Sequence, residues 1–219
     1  MLRFPCLVLD HDDTVVQSEA TVNYPCFCDF LAAKRPGMSL SLADYVSDCS
    51  QMSFVDMCKS RFQFTDAELN EEYLFWKQYA RVHIPEAFAG ISNVLNSYRL
   101  AGGKIFVVSM SSEESILRDY RMHFNFEPDA IFGCDLPQQM CKPNPYPLEQ
   151  IMTKYKFSAH EMLIVDDMKS AVSMARSVGC PIAFAGWGRK DYPAICKEME
   201  DLCDYSLYSI ADFHDLLFG

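Results

Sequence analysis

At 219 residues the chain is about one and a half times the ~150 residues of an average domain, so one large domain or a core with an insertion fits and a modular array does not. Half of the residues are hydrophobic and 22% are charged, with 9 glycines and 11 prolines spread without period, which excludes disordered and collagen-like classes and supplies apolar surface for a core. The formal charge of -11, with no run of Lys or Arg, argues against nucleic acid or an anionic membrane surface as partner. In chain order, Phe4–Leu9 is a short apolar run closed by His11-Asp12-Asp13, the pattern of a buried parallel strand. Arg3 and Asp10 interrupt this beginning too early for a signal-peptide core. No segment approaches the roughly 20 apolar residues of a membrane span, and the expectation is a cytoplasmic protein.

From about 16 to 88 the pattern is helical, with no convincing buried strand. Lys34-Arg-Pro-Gly37 ends one helix, a short helix is predicted over Phe54–Arg61, and Thr65-Asp-Ala-Glu68 is a capping box. The helix it opens should run through Leu69, Tyr73, Trp76 and Ala80 and stop before Pro85. Beyond 88, apolar runs alternate with helical spacing. The runs are Lys104–Ser109, Ala130–Phe132, Met162–Val165 and Cys180–Ala185; the helical sets are Ile91/Val94/Leu95/Tyr98, Leu148/Ile151/Met152/Tyr155 and Ala171/Met174/Ala175/Val178. The fold class is therefore α/β: a Rossmann-like parallel sheet with helices on both faces, its core formed by 1–15 and 89–219, and 16–88 inserted as a helical module. The ten cysteines contain no Cys-x-x-Cys and lie in apolar periodic segments, which reads as reduced, mostly buried thiols.

A parallel sheet places its ligand at the carboxyl ends of its strands, and Asp10, Ser109 and Asp166 all fall at such ends. Asp10 and Asp12, at i and i+2 on one turn, can face one ligand, although Asp-rich helix-capping turns look the same. Asp166-Asp167 repeats the acidic strand end, and hard oxygens converging from two strands suit Mg2+. Lys142-Pro143-Asn144-Pro145 supplies an ammonium on a stiffened loop, either a solvated residue or a counter-charge that lets an anionic nucleophile approach a phosphate. Ser109, with Ser111 and Ser112 opening a helix, is either an ordinary N-cap or a phosphate contact.

These four pieces, in this order, resemble the haloacid dehalogenase superfamily: Asp-x-Asp-x-Thr, a strand-ending Ser, Lys-Pro and a terminal acidic pair. The resemblance spans nearly the whole chain, including Ile84-Pro-Glu-Ala-Phe-Ala-Gly90 as the return linker and 16–88 as the small α-helical cap of the phosphoglycolate phosphatase and β-phosphoglucomutase branch. It implies a phosphoric monoester hydrolase in which Asp10 is the nucleophile and Asp12 the general acid and base. Mg2+ would be held by Asp10, the Asp12 carbonyl and Asp166, with Asp167 and Thr14 in support. The phosphate would be bound by Ser109, the Met110 backbone and Lys142. Three positions depart from the commonest pattern: Asp13 replaces Gly, Met110 replaces Asn, and Ser170 stands where many relatives carry another acid.

The expected substrate is a small phosphorylated metabolite, with the cap choosing it, and the expected assembly a monomer or homodimer. A sugar-phosphate mutase uses the same core. A receiver domain is shorter and lacks the acidic pair after Lys-Pro, and a non-catalytic scaffold would not need Asp10, Asp12, Lys142 and Asp166 together. Trp187-Gly188-Arg189 is either an irregular surface turn or a loop beside the site, and His11 should point away from the face shared by Asp10 and Asp12. His83, His123, His160 and His214 form no ligand spacing.

Overall fold

The apolar runs assemble into one sheet, built from β1 (Cys6–Leu9), β2 (Lys104–Val108), β3 (Ala130–Phe132), β4 (Met162–Asp166), β5 (Ile182–Ala185) and β6 (Tyr205–Leu207). The computed structural model describes residues 2–219; Met1, the first residue of the segment assigned to the core, lies outside them. Every strand pair is parallel, in the order β3-β2-β1-β4-β5-β6. Cys6 of β1 stands opposite both Lys104 of β2 and Met162 of β4. The order reverses at β1, so the connections leave β1 in opposite directions and open a crevice at its carboxyl end.

The helices are α1 (Tyr24–Lys34), α2 (Leu42–Gln51), α3 (Phe54–Phe62), α4 (Asp66–Val82), α5 (Ile91–Leu100), α6 (Glu113–Phe124), α7 (Tyr146–Tyr155), α8 (Lys169–Val178), α9 (Pro193–Leu202) and α10 (Ile210–Phe218). Alternate strand residues separate two buried faces. Leu7, Leu9, Ile105, Val107, Leu163 and Val165 share one core with apolar residues of α5, α6 and α10. Val8, Phe106, Ile164 and Phe184 are also buried; the Phe106 ring meets Tyr155 of α7 at 4.6 Å. Helices thus cover both faces, and fixing this sheet at the strand ends is what places the site.

β6 is not evident in the sequence. It is a three-residue edge strand whose Tyr205 and Ser206 remain accessible, so it carries no continuous apolar run.

The chain divides into two compact units: residues up to Gln17 together with Glu86–Gly219, and Ser18–Pro85. The division falls at 17/18 and 85/86, two to three residues from the sequence-based positions, because the two crossing segments pair with each other. Val16 bridges Ala87 in antiparallel fashion, the Gln17 N–H donates to the Glu86 carbonyl at 2.9 Å, and that of Phe88 to the Val15 carbonyl at 3.2 Å.

In the second unit a five-residue π-helical turn, Glu19–Asn23, leads into α1. Phe27 of α1 meets Tyr45, Phe54 and Phe62 at 5.4, 5.7 and 5.5 Å. Ser41 and Ser53 cap α2 and α3, and Thr65 with Glu68 forms the capping box of α4. α4 runs through Leu69, Tyr73, Trp76 and Ala80 and ends at Val82, before Pro85, as expected. Tyr73 is 39% exposed, whereas Glu72 is buried, and Phe75 reaches the Phe30 ring at 5.8 Å. Ala80 is buried and Leu69 and Trp76 are partly buried, so of the four expected residues Tyr73 alone leaves the packed face, its amphipathic ring partly in water.

Candidate active site

Asp10 immediately follows β1, and its N–H extends the ladder by donating to the Val165 carbonyl at 2.9 Å. The chain then turns sharply: the N–H groups of Val15 and Val16 both donate to the His11 carbonyl, and Asp13 takes a left-handed φ of 50°, a conformation that Asp tolerates better than most residues. Asp166 ends β4 and Asp167 follows it. Asp10, Asp166 and Asp167 are all buried, and each offers a carboxylate oxygen within 4.8 Å of the others. Sequence reasoning casts Asp167 as a support; the geometry brings it into the cluster on equal terms.

Lys142, between β3 and α7, inserts its ammonium here. Nζ donates to Asp10 Oδ1 and to Asp166 Oδ2, both at 2.7 Å, with 3% of the lysine side chain exposed. The solvated-surface alternative for Lys142 is thereby excluded. Burial pushes the Asp166 carboxyl up to about 8, against the pull of Lys142 and reinforced by Asp10 and Asp167. Asp10 is likewise raised by burial, with Lys142 opposing and Asp167 and Asp12 reinforcing. Burial works against the charge on Lys142, yet Asp10 and Asp166 hold it above the usual lysine range.

Asp12 is half-buried. Ser111 Oγ donates to Asp12 Oδ2 at 2.5 Å and Ser109 Oγ lies 3.5 Å from the same oxygen. The N-cap of α6 is Ser112, which accepts from the Ser115 N–H at 3.3 Å, so Ser109 is not spent on capping. Its Oγ instead accepts from the Ser111 N–H at 3.2 Å. The Met110 side chain is 54% exposed. Thr14 is fully buried, and its backbone carbonyl accepts from Trp187 Nε1 at 3.0 Å.

His11 points into the protein, with Nε2 3.0 Å from Asp119 Oδ2 on α6; Arg118 Nε donates to the other Asp119 oxygen at 2.7 Å. Burial pushes Asp119 up, but these two hydrogen bonds outweigh it and hold the carboxyl below the ordinary carboxylate range. Trp187 and Arg189 are 8% and 3% exposed, which excludes a surface turn. Ser111, Asp119 and Arg189 are the residues at this site that sequence reasoning does not assign. Of these, Arg189 is foreseen only as part of a loop beside the site and Ser111 only as opening a helix, and Asp119 has no advance signal.

A family model for haloacid dehalogenase-like hydrolases matches residues 7–185. The chain belongs to the haloacid dehalogenase-like hydrolases. Among curated relatives, the phosphoglycolate phosphatase of Vibrio vulnificus strain YJ016 is 22% identical, with 94% of each protein covered. Among solved structures, a haloacid dehalogenase-like protein from Agrobacterium tumefaciens superposes with a TM-score of 0.79 at 15% identity, covering 97% of both chains. CbbY from Rhodobacter sphaeroides, in complex with xylulose-(1,5)-bisphosphate, gives 0.72 at 14% identity and 95% of both. At such identities these likenesses establish the fold.

Haloacid dehalogenase-like phosphatases are metal-dependent, and the residues present fit a metal. Asp10 and Asp166 pair with Lys142, and Asp13 and Asp167 with Arg189, so four carboxyls share two fixed cations. Among the described residues Asp167 Oδ1, which is buried, has no hydrogen-bond partner. An oxygen-only, buried, under-compensated donor set suits a hard divalent cation.

Proposed function

We propose that this hydrolase is a Mg2+-dependent phosphomonoesterase that acts on a small phosphorylated metabolite through an aspartyl-phosphate. The observation that carries the reading is the Lys142 ammonium held 2.7 Å from both Asp10 and Asp166. A fixed cation beside a buried carboxylate is what an anionic nucleophile needs in order to approach an anionic phosphate.

Asp10 attacks phosphorus, and the bond to the leaving oxygen breaks; carboxylate attack splits hydrolysis into two easier transfers. Asp12 protonates the departing alkoxide, then takes a proton from the water that cleaves the aspartyl-phosphate and regenerates Asp10. Ser111 aims the Asp12 carboxyl. The Ser109 hydroxyl, the Met110 N–H and the Lys142 ammonium hold the phosphate oxygens, and Thr14 maintains the turn. Asp10, the Asp12 carbonyl, Asp166 and Asp167 would hold Mg2+, which when bound neutralises the charge of the phosphoryl group and its attacker. The helical unit is assigned the choice of substrate by the family reading alone. The name of the Vibrio vulnificus relatives supports a small phosphorylated substrate.

The test is hydrolysis of a chromogenic aryl phosphate with Mg2+, with EDTA, and by Asp10→Asn. Phosphate release should be lost in the last two, and activity that survives both overturns the mechanism. A panel of phosphometabolites, phosphoglycolate included, then identifies the substrate. Interconversion of hexose phosphates without phosphate release would move the reading to a mutase.

A further inference from the structure

We infer that Arg189 is a positioning residue for this site: its buried guanidinium ties the turn after β1 to the acidic pair after β4 and so sets the Asp167 carboxylate for metal. The inference rests on the functional reading above. Arg189 Nε and Nη2 lie 2.6 and 2.5 Å from Asp167 Oδ2, and Nη1 lies 3.1 Å from Asp13 Oδ2. The exposed fractions of the three side chains are 4%, 1% and 11%. The guanidinium therefore sets two nitrogens on one Asp167 oxygen and brings the third to ion-pair distance of Asp13, acids from two different loops, an orientation that its rigid plane fixes and a lysine at this position would hold less firmly.

The same short segment, Gly186–Arg189, makes two further contacts with the turn. Trp187 Nε1 donates to the Thr14 carbonyl at 3.0 Å, while its ring packs on Phe213 at 5.5 Å. A Cβ at Gly188 would stand 2.2 Å from the Asp13 carbonyl oxygen, so only glycine allows this approach. Asp13 itself is in the left-handed region. The segment thus grips the conformation that displays Asp10 and Asp12. With Asp167 Oδ2 committed to Arg189, Oδ1 is the oxygen left without a partner among the described residues. A buried ion pair is weak as a stabilising device, because apolar residues of the same volume often serve as well. Orienting a ligand's carboxylate is a use for which an apolar residue cannot substitute.

The experiment compares wild type, Arg189→Lys, Arg189→Met and Trp187→Phe by calorimetric titration with Mg2+ alone, by amide hydrogen exchange without metal, and by aryl phosphate kinetics. Arg189→Met should weaken Mg2+ binding by about 10- to 100-fold, the usual effect of removing a partner of a metal ligand. Its kcat should fall with KM little changed, and exchange should quicken at residues 13–15 but not within 18–85. Arg189→Lys should recover part of the affinity, and Trp187→Phe should lose less than either. If Arg189→Met does not fold, the lysine and phenylalanine variants carry the test. Variants that bind Mg2+ as an active wild type does overturn the positioning role alone, even if their stability falls. Wild-type protein that neither binds Mg2+ nor hydrolyses the ester overturns the functional reading, and this role with it.

Discussion

Ser111 Oγ donates to Asp12 Oδ2 across 2.5 Å, joining the segment that leads into α6 to the carboxyl assigned to proton transfer. Asp12 is more accessible than Asp10 or Asp166, so packing alone does not hold its rotamer. A hydrogen bond to a charged group contributes about 1.5–3 kcal/mol. Ser111→Ala should therefore lower kcat roughly tenfold or more. The loss should be larger for an alkyl phosphate, whose leaving group needs a proton, than for an aryl phosphate, whose leaving group does not. Equal losses on the two esters would show that Ser111 does not act through Asp12.

The carboxylate cluster predicts how metal and pH combine. Asp166 is pushed up to about 8 and Asp10 is raised, so the folded metal-free protein binds protons there more tightly than the unfolded chain. That contribution is complete below the ordinary carboxylate range and is lost as pH rises through about 8. Mg2+ replaces those protons. Added Mg2+ should raise Tm more at about pH 9 than at about pH 5, and stabilise by about 2.7 kcal/mol at a free concentration 100 times Kd. Thermal unfolding with and without EDTA measures this directly. A Tm indifferent to Mg2+ at both pH values would remove the cation from the cluster.

Lys142→Met deletes the ammonium shared by Asp10 and Asp166. Breaking a buried pair leaves uncompensated charge at a cost of about 3–5 kcal/mol. The variant should be catalytically dead and less stable, with the stability deficit smaller in acid, where both carboxyls accept protons. Urea unfolding at two pH values reads the difference; an equal deficit at both would place the lysine outside the titrating cluster.

The strand ends were legible because a buried parallel strand is a continuous apolar run, and Asp10, Ser109 and Asp166 each break one. Lys142 could be ordered relative to them by motif but not placed, since the approach of Nζ to Asp10 spans 132 residues of chain. Arg189 could be offered as part of a loop beside the site but not given its partner, and Asp119 was hidden, for the same reason: Asp167 lies 22 residues from Arg189, and His11 lies 108 from Asp119. Periodicity has no access to such pairings. On α4 the exposure of Tyr73 could not be read from its apolar ring, and buried Glu72 could not be foreseen from a charge that normally faces water.

The His11–Asp119 pair lies behind the turn that bears Asp10 and Asp12, and both residues are 1% exposed. The Asp119 carboxyl is held below its ordinary range by His11 and Arg118 against the push of burial. The stability it supplies is present above the ordinary carboxylate range and is lost as pH falls through the depressed value. Asp119→Leu strips both donors of their acceptor and should destabilise by about 3 kcal/mol or more. Asp119→Asn keeps an acceptor for His11 and should cost less while flattening the acid limb of the stability curve. Denaturant titration across the acid range distinguishes the two, and equal losses would exclude the hydrogen bond as the cause.

Glu72 makes the opposite prediction in the helical unit. It is buried on α4, and burial alone pushes its carboxyl from 4.5 up to about 7. Because its folded value is raised, the folded state holds the proton more tightly: the contribution is whole below pH 4.5 and disappears as pH rises through about 7. The shift corresponds to stability on the order of 3 kcal/mol. Glu72→Gln keeps the shape and removes the titration. The variant should match wild type in acid and exceed it above pH 7, with the difference opening across that interval. Amide exchange within 18–85 at two pH values locates the effect in this unit, and a pH-independent difference between the two proteins would show that Glu72 is solvated and not buried in its charged form.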